Sequence, residues 1–239
     1  MTLLQVEDIH QQFGALKVLN GISLAVPEGQ ALGVVGPNGA GKTTLIDIVA
    51  GGRRPGRGRV RLAGHDVTAT SPGQRARLGL GRTHQVPRPF GSMTVFENAL
   101  VAAVRGAGLR RQAAHTAAYA ALARTGLAAK ANVRAHRLTL LERKRLELAR
   151  ALATQPSVLL LDEIAGGLTE SECHELVATI RGIRAGGTTI VWIEHIVHAL
   201  VAVVDRLIVL NFGRKIAEGH PATVMGSAEV REIYMGLAA

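Results

Sequence analysis

The sequence has few aromatic residues, a single cysteine and no apolar segment long enough to span a membrane. Phe, Trp and Tyr make up only 3% of the 239 residues, so the core of the folded protein has to be aliphatic. The lone Cys173 excludes an intrachain disulfide and fits a reducing cytosol. The longest apolar candidate, 190–204, is interrupted by Glu194 and two histidines and is shorter than the roughly 20 residues that a transmembrane helix needs. Residues 1–7 carry no basic start followed by an apolar run, so we expect no secretory signal.

Acidic residues are scarce in the middle of the chain. The formal net charge is +10, and from Arg75 to Arg150 there are 15 Lys and Arg residues but only three acids, Glu97, Glu142 and Glu147. Such an excess is compatible with nucleic acid, with an anionic membrane surface or with an ordinary solvated face. Because no aromatic residues are interleaved with the basic ones for base stacking, we expect no nucleic-acid partner.

Glycine is plentiful, and its placement in residues 36–43 is informative. These residues match the phosphate-binding pattern G-x-x-x-x-G-K-[ST] at every specified position. The apolar run 31–35 predicts a buried strand before the loop, and residues 44–50 predict a helix after it that ends at Gly51. Glycine lets backbone N–H groups surround phosphate oxygens, and the helix N-terminus favours an anion. A chance glycine-rich turn does not explain this agreement of strand, loop and helix.

The loop therefore predicts a binding site for nucleotide phosphates. We expect Lys42 to reach the β- and γ-phosphates and the hydroxyl of Thr43 to hold Mg²⁺. The dinucleotide-binding pattern does not fit, because Thr44 stands where its third glycine would be. The predicted phosphate-binding residues are Gly36, Pro37, Asn38, Gly39, Ala40, Gly41, Lys42, Thr43 and Thr44.

Apolar patterning along the chain predicts an α/β fold. Alternation in residues 3–26 indicates half-buried antiparallel strands, and Thr139 with Glu142 forms a capping box that begins a helix. Buried strands are predicted at 157–161 and 188–193. Strands that alternate with helices favour right-handed crossovers and a mostly parallel sheet. The remaining predictions are a chain break at 56–59, a strand at 60–64, alanine-rich helices within 94–132 and an amphipathic helix at 170–184.

Polar side chains follow two of the predicted buried strands. Asp162 and Glu163 end one strand, and His195 follows the other. Ligands of open α/β sheets bind at the carboxyl ends of the strands, so Asp162 is expected to help position Mg²⁺. Glu163 is then expected to polarise the attacking water, and His195 to donate a hydrogen bond to a phosphate oxygen. Adjacent acids can also cap a helix, and a histidine at a strand end can be an ordinary surface residue, but the phosphate loop favours catalysis.

These motifs together resemble the ATP-binding subunit of ABC transporters over residues 3–236. The resemblance implies a P-loop NTPase with a mostly parallel central sheet, an N-terminal antiparallel β subdomain and an inserted helical subdomain. It implies one ATP-binding domain that hydrolyses ATP with Mg²⁺ as cofactor. Within that domain, 1–239, the catalytic core is expected at about 1–84 and 155–239 and the helical subdomain at about 85–154.

The resemblance also assigns roles to single residues. Phe13 matches the aromatic residue that stacks on adenine. Gln85 matches the glutamine that joins the metal site to the helical subdomain, which implies a part in both metal binding and catalysis. Asp162 and Glu163 match the magnesium aspartate and the catalytic glutamate, and His195 matches the switch histidine.

A narrower resemblance concerns the transported solute. Residues 81–85, 93–98, 213–219 and 230–236 are similar to importers of branched-chain and other hydrophobic amino acids. Importers of urea and short-chain amides look similar, and the solute itself never touches this subunit. The resemblance implies two integral membrane permease subunits and, indirectly, an extracytoplasmic solute-binding protein. It places the chain as a peripheral protein on the cytoplasmic face of the cell membrane.

Docking on a permease requires apolar surface next to Gln85. We expect a groove there that receives a short helix from the membrane subunit, although each of these residues could instead belong to the core. The residues expected to line it are Pro87, Pro89, Phe90, Met93, Val95 and Phe96.

The chain departs from the family pattern in two places. Where the family signature reads Leu-Ser-Gly-Gly-Gln, residues 138–142 read Leu-Thr-Leu-Leu-Glu. Leu141 replaces the glycine that lets a backbone N–H approach the γ-phosphate bound by the opposite subunit, so we expect it to hinder that approach. Thr169 stands where the family usually has an aspartate. Because these losses act on the partner's site, a heterodimer with a second, different ABC ATPase is favoured, and a homodimer remains possible.

Two other functions compete with an importer ATPase. A weakly hydrolysing regulatory subunit is supported by the altered signature and opposed by Glu163 and His195. A soluble ABC-type ATPase acting on nucleic acid is supported by the positive charge. It is opposed by the single phosphate loop, because such proteins usually carry two ATPase domains in one chain.

Overall fold

The computed structural model describes residues 1–235, so Gly236, the last residue of the family resemblance, lies outside the described part. Its strands are β1 (Thr2–Phe13), β2 (Leu16–Pro27), β3 (Ala31–Val35), β4 (Arg57–Leu62), β5 (His65–Asp66), β6 (Leu80–Arg82), β7 (Val158–Asp162), β8 (Thr189–Ile193), β9 (Arg206–Asn211) and β10 (Arg214–Gly219). Its α-helices are α1 (Lys42–Val49), α2 (Pro72–Arg77), α3 (Val95–Arg105), α4 (Arg111–Arg124), α5 (Leu140–Ala153), α6 (Glu170–Ala185), α7 (Val197–Val201), α8 (Pro221–Gly226) and α9 (Ala228–Met235). None of the helices in the described part has both the length and the apolar character needed to cross a membrane.

A four-stranded antiparallel sheet, in the order β2-β1-β4-β5, forms the N-terminal layer. The predicted alternation in β1 is confirmed, because Leu4, Val6 and Ile9 are buried. The predicted chain break at 56–59 is wrong, since β4 begins at Arg57. Gly58 makes this possible: a Cβ there would lie 2.4 Å from the backbone oxygens of β1. The strand can therefore pass close to β1 where the pairing register shifts.

The central sheet has six strands in the order β10-β9-β3-β8-β7-β6. All pairs from β9 to β6 are parallel, and only β10 runs antiparallel, so the predicted mostly parallel sheet is confirmed. Every residue of β3, β7 and β8 is buried, as expected for strands covered on both faces. Parallel pairing brings the carboxyl ends of β3, β7 and β8 to one edge of the sheet.

Three helices, α3, α4 and α5, pack against each other as a separate helical layer. Small side chains let them approach closely, and the alanines of α3 and α4 that face this core are Ala99, Ala103, Ala114, Ala117, Ala118 and Ala121. The predicted capping box at Thr139 is confirmed, and Thr94 with Glu97 forms a second one at the start of α3. Each box satisfies backbone N–H groups that the first helical turn leaves without partners.

The expected docking residues separate into core and surface. Val95 is fully buried and Phe96 packs against the core, so the expectation that both line a surface groove is wrong for Val95 and only partly met by Phe96. They are turned inwards because they begin α3, whose apolar face covers α4 and α5. Phe90 remains 45% exposed and lies under the guanidinium of Arg150.

Arg75 joins the first helix of the central layer to the antiparallel sheet. Its side chain is only 1% exposed. The guanidinium donates to the carbonyls of Ile48 and Val49 at the end of α1, at 2.6 Å each, and to those of Val67 and Thr68 after β5, at 2.6 and 3.2 Å. Burial lowers the pKa of Arg75 to about 10, so the group remains charged near neutral pH.

Replacing Arg75 with methionine is expected to lower the free energy of unfolding by about 3 kcal/mol, because the carbonyls of residues 48, 49, 67 and 68 lose the hydrogen bonds that this buried guanidinium donates. Urea unfolding with an unchanged m-value measures the loss. Arg77→Met, at an exposed position of the same helix, serves as the control and should stay within about 0.5 kcal/mol of the wild type. Equal stability of the two variants would contradict this role of Arg75.

Candidate active site

The loop between β3 and α1 is tightly enclosed by neighbouring backbone. A Cβ on Gly36 would lie 2.2 Å from the carbonyl oxygen of Leu210, and one on Gly41 would lie 2.7 Å from that of Val18. Gly41 also has a φ of 100°, a left-handed conformation that favours glycine. Gly41 is the N-cap, and a glycine offers no side chain to the first N–H groups of α1. The loop therefore presents the free backbone donors that a phosphate group requires.

Lys42 crosses this loop from its position at the start of α1. The side chain is 5% exposed, and its Nζ donates to the carbonyls of Gly36 at 2.7 Å and Pro37 at 3.0 Å. Burial lowers the pKa of Lys42, while Glu163 and Asp162 oppose the shift. A triphosphate in the loop would supply the opposite charge that this buried ammonium group lacks at close range.

Asp162 ends β7 at the edge of the sheet, as predicted, and is held by an arginine that the sequence analysis missed. Arg82 at the end of β6 donates to Asp162 at 3.0 Å and to Asp47 of α1 at 2.7 Å. Burial raises the pKa of Asp162, and Arg82 opposes the shift. Only the register of β6 beside β7 places Arg82 here, because parallel pairing sets Arg82 opposite Leu160.

Glu163, Gln85 and His195 come together at the same edge. The amide Nε2 of Gln85 donates to Oε2 of Glu163 at 2.6 Å, and Nδ1 of His195 lies 4.0 Å from that oxygen. Glu163 has a φ of 44°, which is strained for a residue other than glycine, and its N–H donates to the carbonyl of Ile193 at 2.9 Å. Such strain persists only where the surroundings fix it, and it is frequent at functional sites.

The sequence analysis also missed Glu194, which precedes the predicted histidine. Its side chain is fully buried, and its oxygens accept hydrogen bonds from the backbone N–H groups of Ala165 and His195, both at 3.0 Å. Nδ1 of His195 lies 3.1 Å from the same carboxylate. This proximity turns Nδ1 towards Glu194 and leaves Nε2 as the ring nitrogen for a substrate. A carboxylate at a strand end next to a candidate catalytic histidine is the signal that could have identified Glu194.

Phe13 lies at the end of the strand pair that borders the loop. It pairs with Leu16 at the start of β2, and β2 reaches Gly41 through the carbonyl of Val18. The guanidinium of Arg53 lies 4.6 Å from the centroid of the Phe13 ring, within cation–π distance. The guanidinium of Arg53 thus covers one face of the ring, and Phe13 is 41% exposed.

At the start of α5, the structure changes the interpretation of the altered signature. Leu141 is 7% exposed and belongs to the core of the helical layer, so its side chain does not stand in the path of a ligand as we expected. Leu140 is 43% exposed instead, and a Cβ on Gly167 would lie 3.5 Å from its Cδ2. Thr169, which stands in place of an aspartate, caps α6 together with Glu172.

Comparison with known proteins identifies the family. The sequence model of the ABC transporter family matches residues 19–166, a range that contains Lys42, Asp162 and Glu163. The chain is 36% identical to the high-affinity branched-chain amino acid transport ATP-binding protein BraF of Pseudomonas aeruginosa, over 98% of each protein. It is 33% identical to the lipopolysaccharide export system ATP-binding protein LptB of Acidithiobacillus ferridurans, over 98% of this chain and 97% of that protein.

A solved structure agrees with these relatives. The ADP conformation of MJ1267, an ATP-binding cassette of an ABC transporter, superposes with a TM-score of 0.90 and 30% identity, covering 99% of both chains. The predicted P-loop NTPase fold is therefore confirmed. The chain belongs to the ABC transporter family and is one of its ATP-binding, ATP-hydrolysing proteins.

Proposed function

We propose that this chain is the ATP-hydrolysing subunit of an importer for branched-chain or other hydrophobic amino acids. The observation that carries the proposal is the hydrogen bond of 2.6 Å from Gln85 to Glu163. It brings these two residues together at the edge of the central sheet that also carries the phosphate loop. The similarity to BraF and to other branched-chain amino acid transport proteins supports the solute class.

The residues at the sheet edge fit a nucleotide and a hard cation. Loop amides and Lys42 would hold the phosphates, and Phe13 would stack on adenine with its free face. The hydroxyl of Thr43, the carboxylate of Asp162 and the amide of Gln85 supply the oxygen ligands that Mg²⁺ prefers. When bound, Mg²⁺ would neutralise charge that develops on the β- and γ-phosphates.

In the proposed mechanism, the protein positions one water molecule and one proton acceptor. Glu163 takes the proton of the attacking water, and Gln85 keeps that carboxylate in place through its hydrogen bond. Nε2 of His195 donates a hydrogen bond to the γ-phosphate, since Nδ1 faces the Glu194 carboxylate at 3.1 Å. Lys42 stabilises the charge on the departing phosphate groups.

The proposed membrane partners would dock where the central and helical layers meet. A cavity of about 400 Å³ lies between the end of α1, β6 and α5, close to the exposed ring of Phe90. Arg82, which holds Asp162, also lines this cavity, so a permease helix there would lie next to Asp162, the proposed Mg²⁺ ligand.

We propose two permease subunits, an indirectly acting extracytoplasmic solute-binding protein, and a peripheral position on the cytoplasmic face of the cell membrane. We propose the same division into subdomains, about 1–84 with 155–239 and about 85–154, and no nucleic-acid partner.

The proposed second ATPase subunit follows from the start of α5. Leu140 presents an exposed alkyl side chain where the family signature has glycine. This side chain would stand between α5 and a nucleotide bound to the partner subunit, and it would slow ATP hydrolysis at that second site. A different partner chain with an unaltered signature would complete the site of this chain, so we propose a heterodimer. The same feature supports the alternative of a weakly hydrolysing regulatory subunit.

Glu163→Gln is expected to lower phosphate release by about 10²- to 10⁴-fold, because glutamine keeps the shape but cannot accept the proton. ATP affinity should stay unchanged, since the phosphate-binding loop is intact. Phosphate release by the complex with its co-expressed permease subunits measures the effect. Glu170→Gln, in the exposed first turn of α6, is the matched control and should behave as the wild type.

Two results would contradict the proposal. Unchanged phosphate release by Glu163→Gln would remove the proposed catalytic base. Hydrolysis stimulated by DNA or RNA, and not by the permeases with an amino-acid-loaded binding protein, would favour the nucleic-acid alternative.

Leu140→Gly is expected to raise the ATP turnover of the complex. The upper limit of the gain is the roughly 10²–10³-fold loss of rate that one missing transition-state donor causes. Leu141→Gly is unsuitable because it would remove a core side chain. Leu78→Gly, which shortens another exposed leucine, is the control. The intact mass of the complex identifies whether the second ATPase is a different chain. No gain in turnover for Leu140→Gly would argue against a second site weakened by this residue.

A further inference from the structure

Lys144 is a buried cation that the proposed mechanism does not use. It lies in α5 and is 3% exposed, whereas lysine side chains are almost never fully buried unless they are paired. Its Nζ donates to a backbone carbonyl, that of Gln85, at 2.9 Å. An ammonium group in this position is costly to desolvate, so its surroundings have to stabilise the charge.

The stabilising charges come from the candidate active site. Burial lowers the pKa of Lys144, while the carboxylates of Glu194 and Glu163 raise it. Both carboxylates follow strands of the central sheet, β8 and β7, whereas Lys144 belongs to the helical layer. The side chain therefore reaches across the boundary between the two layers and ends beside Gln85.

Gln85 is held at two points in this arrangement. Its side chain donates to Glu163 at 2.6 Å, and its carbonyl accepts from Lys144 at 2.9 Å. The residue lies in an irregular segment after β6, and residues 84–86 around it are exposed. Exposed irregular segments open easily unless specific contacts hold them. Without Lys144, the hydrogen bond to Glu163 would have to hold Gln85 in place by itself.

We propose that Lys144 is a positioning residue that fixes Gln85 beside Glu163 and thereby ties α5 to the hydrolysis site. The inference rests on the proposed roles of Gln85 and Glu163. Lys144 itself does not touch the reacting atoms. Leu140 and Lys144 lie one helical turn apart on the same side of α5, so the helix that carries the altered signature also carries this contact.

The test compares Lys144→Met with Lys144→Arg in the complex with the co-expressed permease subunits. Lys144→Met is expected to lower phosphate release about tenfold, because Gln85 loses the hydrogen bond from a charged donor. The affinity for ADP should stay unchanged, because this hydrogen bond lies outside the nucleotide pocket. Hydrogen exchange of the amides in 84–90 should become faster. Lys144→Arg keeps the charge and the donor and should recover most of both properties. Arg145→Met is the matched control. It removes a charged side chain from the same helix, α5, together with the ion pair of Arg145 with Glu175 of α6.

A double substitution tests the route of the effect. In the Gln85→Ala background, Lys144→Met should cause little further loss of phosphate release, because the positioned side chain is already absent. Equal exchange in 84–90 and equal phosphate release for Lys144→Met and the wild type would overturn the inference. If Lys144→Met does not fold, Lys144→Gln, which keeps a donor without the charge, takes its place. Absence of hydrolysis in the wild-type complex would overturn the proposed function instead, while the exchange measurement would still decide whether Lys144 holds the segment.

Discussion

The close enclosure of the phosphate loop is the constraint on which the rest of the site depends. At Gly36 and Gly41 a single methyl group would collide with backbone oxygens of β9 and β2. The loop therefore occupies one position between two strands of different sheets, and α1 starts from it without a side-chain cap. Because Lys42 is the first residue of α1, its ammonium group is delivered to the same place. The antiparallel sheet is thus part of the site, since it supplies both the wall at Val18 and the aromatic ring at Phe13.

Charge balance is the second organising feature of the site. Arg82 is shared by Asp47 and Asp162, and Lys144 lies in the field of Glu163 and Glu194. In both cases one cation serves two carboxylates from different elements, which offsets the cost of placing charges where water is scarce. Removing Arg82 would leave Asp47 and Asp162 without this ion-pair partner. The arrangement places these two basic residues among carboxylates of the candidate site.

Much of the fold could be predicted because its signals are local. The strand–loop–helix of 31–50 and the capping box at Thr139 are each encoded within a few residues. Orientation was harder to predict. Val95 and Leu141 face the core because helices pack on that side, which no short pattern specifies. Of the two missed polar residues, Glu194 stands beside a candidate catalytic histidine, whereas Arg82 had no local pattern that set it apart from ordinary charged residues. Arg82 pairs with Asp47 of α1 and Asp162 of β7, and Glu194 accepts from the backbone N–H of Ala165, so these contacts exist only in the folded structure.

Helix α5 links two features that the sequence presents as separate. Its first turn carries the exposed Leu140, held by the capping box of Thr139 and Glu142 and by the ion pair of Glu142 with Lys130. One turn later, Lys144 reaches Gln85. A helix of 14 residues behaves as one rigid element, so a shift of α5 at Leu140 would also move Lys144, which holds the carbonyl of Gln85. Under the proposed roles of Leu140, Lys144 and Glu163, a change at the altered signature is expected to alter the hydrolysis site through α5.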